Sequence, residues 1–312
     1  MHPMTRQFRY ILAAAREGSV TAAAEAESIS ASSILSAIEK FESYYKTTIF
    51  VRRRSKGLTT TITGRRILAR MRQVLDDIEA FETDLKQATP KIAGELRLGV
   101  FATMAAHVMP HILKSLHGEH PDLRVIHFEG SLREVEADLR SGKVDVALTY
   151  DAFIPDDLEV LKILDAPPHA LLSEDDPLAT DTVVSIDDLA KRPLILLDSP
   201  DSAQYILSLF TRSGHRPIVH HRTTSYELIR SSVALGLGAS VLNIRPLVDT
   251  TYSGKSVVCR PLSMKSDSLA SRVAVVTRKG DVLGARVRAF IEHCRRFSTS
   301  ATARQLVVDG PG

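Results

Sequence analysis

Residues 18–50 read GSVTAAAEAESISASSILSAIEKFESYYKTTIF, and their reading decides the fold. Ser19 or Thr21 offers a hydroxyl to the unpaired N–H groups at a helix start, and Ala22, Ala23 and Ala24 leave room for a second helix alongside. Ser28-Ile29-Ser30 then interrupts the pattern, because hydroxyl side chains compete for backbone hydrogen bonds. A new helix begins near Ser32, with Ile34, Leu35, Ile38 and Phe41 at helical spacing. Two helices joined by about three residues form a helix-turn-helix, whose second helix enters the DNA major groove. Next come Arg52, Arg53, Arg54 and Lys56, then Gly57 and Leu58-Thr59-Thr60-Thr61-Ile62, which is the pattern of a basic hairpin, or wing. The candidate DNA contacts are therefore Ser30, Ser32, Ser33, Ser36 and Lys40 on the helix, with Arg52, Arg53, Arg54 and Lys56 on the wing.

Upstream, Phe8, Ile11 and Leu12 put an apolar face on a helix over 5–17, which Gly18 ends. The succession S-V-T-A-A-A-E, I-S, I-F-V-R and G-L-T-T-T-x-x-G resembles the N-terminal domain of the LysR-type transcriptional regulators in order and spacing. The second helix departs from that family's pattern. It carries Ala31, Ser32, Ser33, Leu35, Ser36 and Ala37 where groove contacts are made, with Glu39 where a basic residue is common. Few of these make bidentate base contacts, so readout shifts toward hydroxyls, the wing and DNA shape. Lys46 stands where the family often has Gly, a strained choice if that residue is left-handed.

The 312 residues suit two or three compact units, and 44% hydrophobic content suits ordinary cores. The net charge of +3 is unevenly divided: residues 1–65 hold ten Lys or Arg against five Glu, which leaves −2 for everything after them. Concentrated basicity fits a phosphate-binding module, because neutralised phosphates release counterions. Cys259 and Cys294 are too few for a disulfide framework or a four-ligand zinc site, so a reducing, cytoplasmic location is expected. The N-terminus lacks an apolar run of signal-peptide length, and no stretch approaches the ~18 apolar residues of a membrane span.

From Arg65 to Ala88 no Gly or Pro interrupts, and Ile67, Met71, Val74, Ile78, Phe81 and Leu85 follow at alternating steps of four and three. That is a coiled-coil seam, which predicts self-association and two DNA-binding heads on a roughly two-fold site. Past Thr89-Pro90-Lys91, strand patterns at Leu96–Val100, Leu123–Phe128 and Val144–Tyr150 alternate with helix patterns, predicting a parallel, doubly wound sheet. L-R-L-G-V, M-P-H-I-L, H-P-D-L-R-V and S-G-K-V-D-V-A-L resemble the effector domain of the same family. A second αβ unit begins after Leu164-Asp165, and the helix over 282–297 returns to the first.

The predicted fold class is α/β, with an N-terminal winged helix-turn-helix (1–64), a dimerising linker helix (65–90) and a two-lobed, Rossmann-like effector domain (91–297) resembling periplasmic binding proteins. Lobe I takes about 91–165 and 268–297, lobe II about 166–267, and 298–312 is expected to be a frayed tail. Ligands of such sheets bind beyond the carboxyl ends of strands, which nominates Ala102, Thr103, Ser131, Tyr150, Ser199, Ser202 and Thr224. Hydroxyls beside helix N-termini favour a carboxylate or aromatic acid. His107 and His111 lack the intervening Glu of H-E-x-x-H, and the remaining histidines define no ligand spacing, so neither metal nor cofactor is expected. Nor does the sequence hold an assembled acid, base and nucleophile. The resemblance implies a non-enzymatic regulator with double-stranded promoter or operator DNA, a small-molecule effector, RNA polymerase and a homodimer or homotetramer as partners, and no membrane. A solute-binding protein with an N-terminal extension is the rival, distinguished by export.

Overall fold

The computed structural model describes residues 3–53, 57–86, 92–152, 154–264 and 271–308. In chain order the elements are α1 Pro3–Glu17, α2 Val20–Ala26, α3 Ala31–Tyr45, β1 Phe50–Arg53, β2 Gly57–Thr60 and α4 Ile62–Lys86. Then come β3 Gly94–Phe101, α5 Ala102–Ala105, α6 Met109–Glu119, β4 Leu123–Gly130, α7 Leu132–Ser141, β5 Val146–Tyr150, β6 Leu158–Ala166 and β7 His169–Ser173. A 3-10 turn at Pro177–Thr180 precedes β8 Val184–Ser185, α8 Ile186–Leu189, β9 Leu194–Leu197, α9 Pro200–Arg212, β10 Val219–Thr223, α10 Tyr226–Ala234 and β11 Ser240–Leu242. The chain continues with β12 Val257–Ser263, β13 Ser271–Arg278, α11 Ala285–Ser298 and α12 Ala301–Gln305.

The N-terminal domain closes on one core. Ile11, Ala14, Ala23, Ile34, Ile38, Phe41 and Ile49 meet in it, sealed by Leu68 and Met71 from α4. Ser19 caps α2 and Ser30 caps α3, each hydroxyl accepting a backbone N–H three residues on. Gly57 opens β2 at a φ of 66°, and a Cβ there would lie 2.6 Å from Gly18 O. That close approach lets Leu58 N donate to Gly18 O at 2.8 Å, fastening the wing to the α1–α2 turn.

Lobe I is a five-stranded sheet in the order β4-β3-β5-β13-β6. Strand alternation fills both faces: Val273 and Val275 of β13 join one core, Ala274 and Val276 the other. The sheet is mixed, because β13 runs antiparallel to both β5 and β6. The expected all-parallel sheet is thereby corrected, since the chain leaves lobe I through β6 and returns from lobe II as β13. Lobe II builds the sheet β11-β7-β12-β8 beside the parallel pair β10-β9, with Leu194 and Ala239 bridging the two.

Two further expectations are revised. The expected frayed tail is α12 and the turn after it: Ala303 and Leu306 are buried in lobe I, and Arg245 N donates to Leu306 O at 2.9 Å. Residues 309–312 lie outside the described residues. The linker helix, expected to serve as a coiled-coil seam, also packs on its own chain. Leu68 and Met71 enter the N-terminal core, and Asp76 meets Arg286 of α11 at 2.5 Å. Gly142, the left-handed cap of α7, sits so close to α4 that a Cβ would stand 2.1 Å from Ala69 Cβ. Val74 and Phe81 remain exposed, and Leu85's side chain lies outside the description.

Candidate DNA face and interlobe cavity

On α3, Ser30 and Ser32 are exposed, Ser33 and Ser36 half-buried and Lys40 exposed. The cap's hydroxyl lies 2.9 Å from Ser32 Oγ and 2.8 Å from Ser33 Oγ, so these three form one hydroxyl cluster at the helix N-terminus. Ser32, Ser33, Ser36 and Lys40 line an open concavity with Arg6, Gln7 and Tyr10 of α1. Arg6, unflagged by the sequence reading, adds a cation to that edge; helical spacing placed it on the α1 face opposite Phe8 and Ile11. Arg52 and Arg53 lie on β1 opposite Leu58 and Gly57, while their side chains, and the whole of Arg54 and Lys56, lie outside the described residues. Glu42 Oε1 accepts from Ile49 N and Phe50 N at 2.5 and 3.0 Å, which ties the wing's first strand to α3.

Between the lobes lies a narrow cavity: about 480 Å3 lies between its atoms when the open solvent at its mouth is counted, of which only about 30 Å3 admits the centre of a water-sized sphere. Lobe I supplies Phe101, Thr103, Leu132, Tyr150 and Ala152; lobe II supplies Leu197, Asp201, Ser202, Tyr205, Tyr226 and Asn243. Strand ends β3, β5, β9 and β11 all contribute, as open αβ sheets dictate. Thr103 Oγ1 is buried and makes no hydrogen bond of good geometry among the described residues, with the Tyr150 hydroxyl as its nearest polar neighbour. Burial pushes the Tyr150 and Tyr226 hydroxyls well above the usual phenol range, and that of Tyr205 up to about 12, so all three stay protonated. Asn243 Nδ2 donates to Ala166 O at 2.8 Å and Tyr205 OH at 3.1 Å, and Tyr226 OH donates to Ile244 O.

The cavity gathers three of the seven nominated positions, Thr103, Tyr150 and Ser202. The other four are not in its wall. Ser131 is consumed by a capping box with Glu134, Ala102 and Thr224 are exposed, and Ser199 turns its hydroxyl to Ser202 at 2.8 Å. The charge expectation also changes: among the described residues the wall contains no Lys, Arg or His, and its one charged side chain is Asp201. A carboxylate effector would thus meet another carboxylate. Phe101, Tyr205, Tyr226 and Asn243 were missed because aromatic residues and a lone amide carry no spacing signal; Tyr205, in the second turn of α9, was the nearest to legible.

Sequence models match at both ends of the chain: the bacterial regulatory helix-turn-helix of the lysR family over residues 5–65, and the LysR substrate binding domain over residues 91–299. The chain belongs to the LysR family. It is therefore a DNA-binding transcriptional regulator carrying an effector-binding domain. Among its relatives, the uncharacterized HTH-type regulator YvbU of Bacillus subtilis is 27% identical over 240 residues, 76% of this chain and 80% of that one. A hydrogen peroxide-inducible genes activator of Pectobacterium carotovorum is 26% identical over 243 residues, covering 76% and 78%. The crystal structure of HinK, a LysR family regulator from Pseudomonas aeruginosa, aligns at TM-score 0.61 and 28% identity over 94% of this chain and 97% of that one. No helix among the described residues is long and apolar enough to cross a membrane.

Cys259 and Cys294 are both buried and free; burial raises the Cys259 thiol to about 11 and drives that of Cys294 higher still. Glu119, His120 and His293 bring ligand atoms within 4.8 Å of one another. A guanidinium already fills that space, since Arg296 grips Glu119 at 2.5 and 3.0 Å and stands 2.9 Å from His293 Nε2. His293 Nδ1 meets Ser115 Oγ at 2.8 Å, completing a network that pins α6 to α11. His107 Nδ1 pairs with Thr103 O at 2.8 Å, and its ring packs on Tyr226.

Proposed function

We propose that the chain switches transcription at a promoter or operator in response to a small aromatic effector held in the interlobe cavity. The carrying observation is the pairing of an exposed hydroxyl-and-lysine edge on α3 with a separate, aromatic-lined cavity at the strand ends. Ser30, Ser32, Ser33, Ser36 and Lys40 meet the major groove, while Arg52, Arg53, Arg54 and Lys56 neutralise phosphates. The functional division is 1–64 for DNA, 65–90 for dimerisation and 91 onward for the effector, the last extended through Leu306. Exposed Val74 and Phe81 on the second half of α4 supply the seam of a homodimer, from which a homotetramer can be assembled. RNA polymerase is the downstream partner, and the cytoplasm the compartment, with no catalysis and no cofactor. A peroxide-sensing mode, which the relatives' names raise, is disfavoured because a reactive cysteine needs an accessible thiolate and both thiols here are buried with raised pKa.

The test is DNA binding as a function of salt. Replacing both Arg52 and Arg54 with Ala should weaken binding to all sequences and flatten the log–log salt slope by about one unit per lost phosphate contact. An unchanged slope removes the wing from the interface. Phe81→Asp should dissociate the dimer in sedimentation, and an intact oligomer refutes the α4 seam.

A further inference from the structure

Resting on the cavity's role as the effector site, we propose that it takes a small aromatic ammonium, with its ring among Phe101, Tyr150, Tyr205 and Tyr226 and its charged nitrogen on Asp201. Asp201 is the single charged side chain in the wall among the described residues and is only 7% exposed. Its present partner comes from the other lobe: Arg133 Nε lies 2.9 and 3.2 Å from the two carboxylate oxygens. That arginine belongs to an adjoining cavity, and its side chain is 68% exposed, so it is free to turn away into solvent. A ligand ammonium approaching from the interior can take over the same carboxylate and keep it paired.

The surrounding chemistry favours a cation. Phenyl and phenol rings present electron-rich faces that attract ammonium groups, most strongly where water is excluded. The buried, poorly satisfied Thr103 hydroxyl offers a hydrogen bond to a second polar group on the ligand. Against this, α9 brings its N-terminus to the site, with roughly half a positive charge. Asp201's full negative charge is the larger. An anionic ligand would lie against Asp201 in a site shielded from solvent, where like charges repel most. Binding would also replace the interlobe Arg133–Asp201 pair with a ligand contact, so the ligand's charge bears directly on how the lobes are held.

Calorimetric titration of the full-length protein with 2-phenylethylammonium, 2-phenylethanol and 3-phenylpropionate separates the possibilities. The ammonium should bind more tightly than the alcohol by on the order of 10- to 100-fold, the scale of a charge-assisted hydrogen bond, and the carboxylate should bind least. Asp201→Asn should erase the ammonium's advantage over the alcohol, with an unchanged circular-dichroism spectrum and melting transition showing that the variant is folded. Arg133→Gln should tighten the ammonium by removing its competitor. Equal or tighter binding of the alcohol or carboxylate, or an Asp201→Asn variant that keeps the ammonium preference, overturns the proposal. In that event the effector site itself stands if Ala152→Trp, which fills the wall shared by both cavities, abolishes the binding. If none of the three probes binds, or the blocked variant binds as before, the ammonium and the cavity reading fall together.

Discussion

The DNA face and the interlobe cavity are built in opposite ways. The first is an exposed edge carried by residues 30–60 with Arg6, Gln7 and Tyr10 of α1, over a single closed core to which α4 adds Leu68 and Met71, with Ile67 and Leu75 packed against it. The second is a hollow whose wall runs from Phe101 to Ser271 and whose two sides rest on different cores. A local surface keeps its geometry as long as one small core holds. A shared cavity keeps its geometry only while two cores remain in register, and the contacts crossing it, such as Arg133–Asp201 and Asn243–Ala166, set that register. The difference suits the two tasks: a rigid reader of DNA, and a site whose two halves can move.

The sharpest way to separate the two regions is to damage one core. Ile34 is fully buried in α3, and Ile34→Ala removes contacts at a cost of about 2 to 5 kcal/mol. The head should unfold at lower temperature and DNA binding should fail, while cavity ligands still bind. Calorimetry that shows the effector domain shifting equally would mean that the two regions are a single cooperative unit, coupled through α4.

A pH series probes lobe II alone. His169 on β7 is fully buried, and burial first, with Arg245 nearby second, lowers its pKa from the ordinary histidine value to about 3. The unfolded chain thus takes up the proton more readily than the folded one. This contribution is fully present above about pH 6.5 and is lost as pH falls toward 3, at about 1.4 kcal/mol per pH unit. His169→Leu should flatten the acid limb of the melting curve of lobe II and leave the head unaffected. An unchanged acid limb would place the acid sensitivity elsewhere.

The same contrast explains what the sequence disclosed. The helix-turn-helix was legible because its signals are consecutive: the caps Ser19 and Ser30, small Ala23 and Ala24, and the Ile34-Ile38-Phe41 stripe all lie within one stretch. The two lobes were legible as repeats, but β6 and β12 were not. β6 alternates only weakly, with Glu159, Lys162 and Asp165 breaking its apolar run, and β12 contains Pro261. At the cavity, Thr103, Tyr150 and Ser202 followed from the strand-end rule, whereas Thr224 failed because Ser225, one residue later, is the cap of α10. Asp201 was invisible for a deeper reason. Its importance is that nothing cationic among the described residues shares the wall, which depends on residues far apart in the chain. The tail failed because two small buried residues, Ala303 and Leu306, make no pattern of their own.

Thr103 allows a smaller test of the cavity. Its hydroxyl is buried with no hydrogen bond of good geometry among the described residues beyond its approach to Tyr150, so Thr103→Val keeps the shape and removes a poorly satisfied polar group. The ligand-free effector domain should gain about 1 kcal/mol, seen as a higher melting temperature. A loss of stability would show that the hydroxyl is satisfied in the folded protein.

The smallest effect is expected in the head, at the end of α3. Lys46 caps that helix at φ 48° and ψ 46°, the left-handed conformation that costs an L-residue roughly 1 to 2 kcal/mol because its Cβ crowds the following carbonyl oxygen. Its backbone N–H bonds to Glu42 O and Ser43 O, and glycine would keep these contacts. The exposed side chain contributes no burial. Lys46→Gly removes the crowding but gives the unfolded chain more freedom, which offsets roughly half the gain, so the net should be about 0.5 to 1 kcal/mol in favour of the head. The head's melting transition should rise and the effector domain's should stay fixed. Ile34→Ala combined with Lys46→Gly should recover part of the lost stability, because the two sites sit at separate turns of the same helix. A double variant no more stable than Ile34→Ala alone would show that the left-handed cap is not strained, and that the head's stability is set entirely by its core.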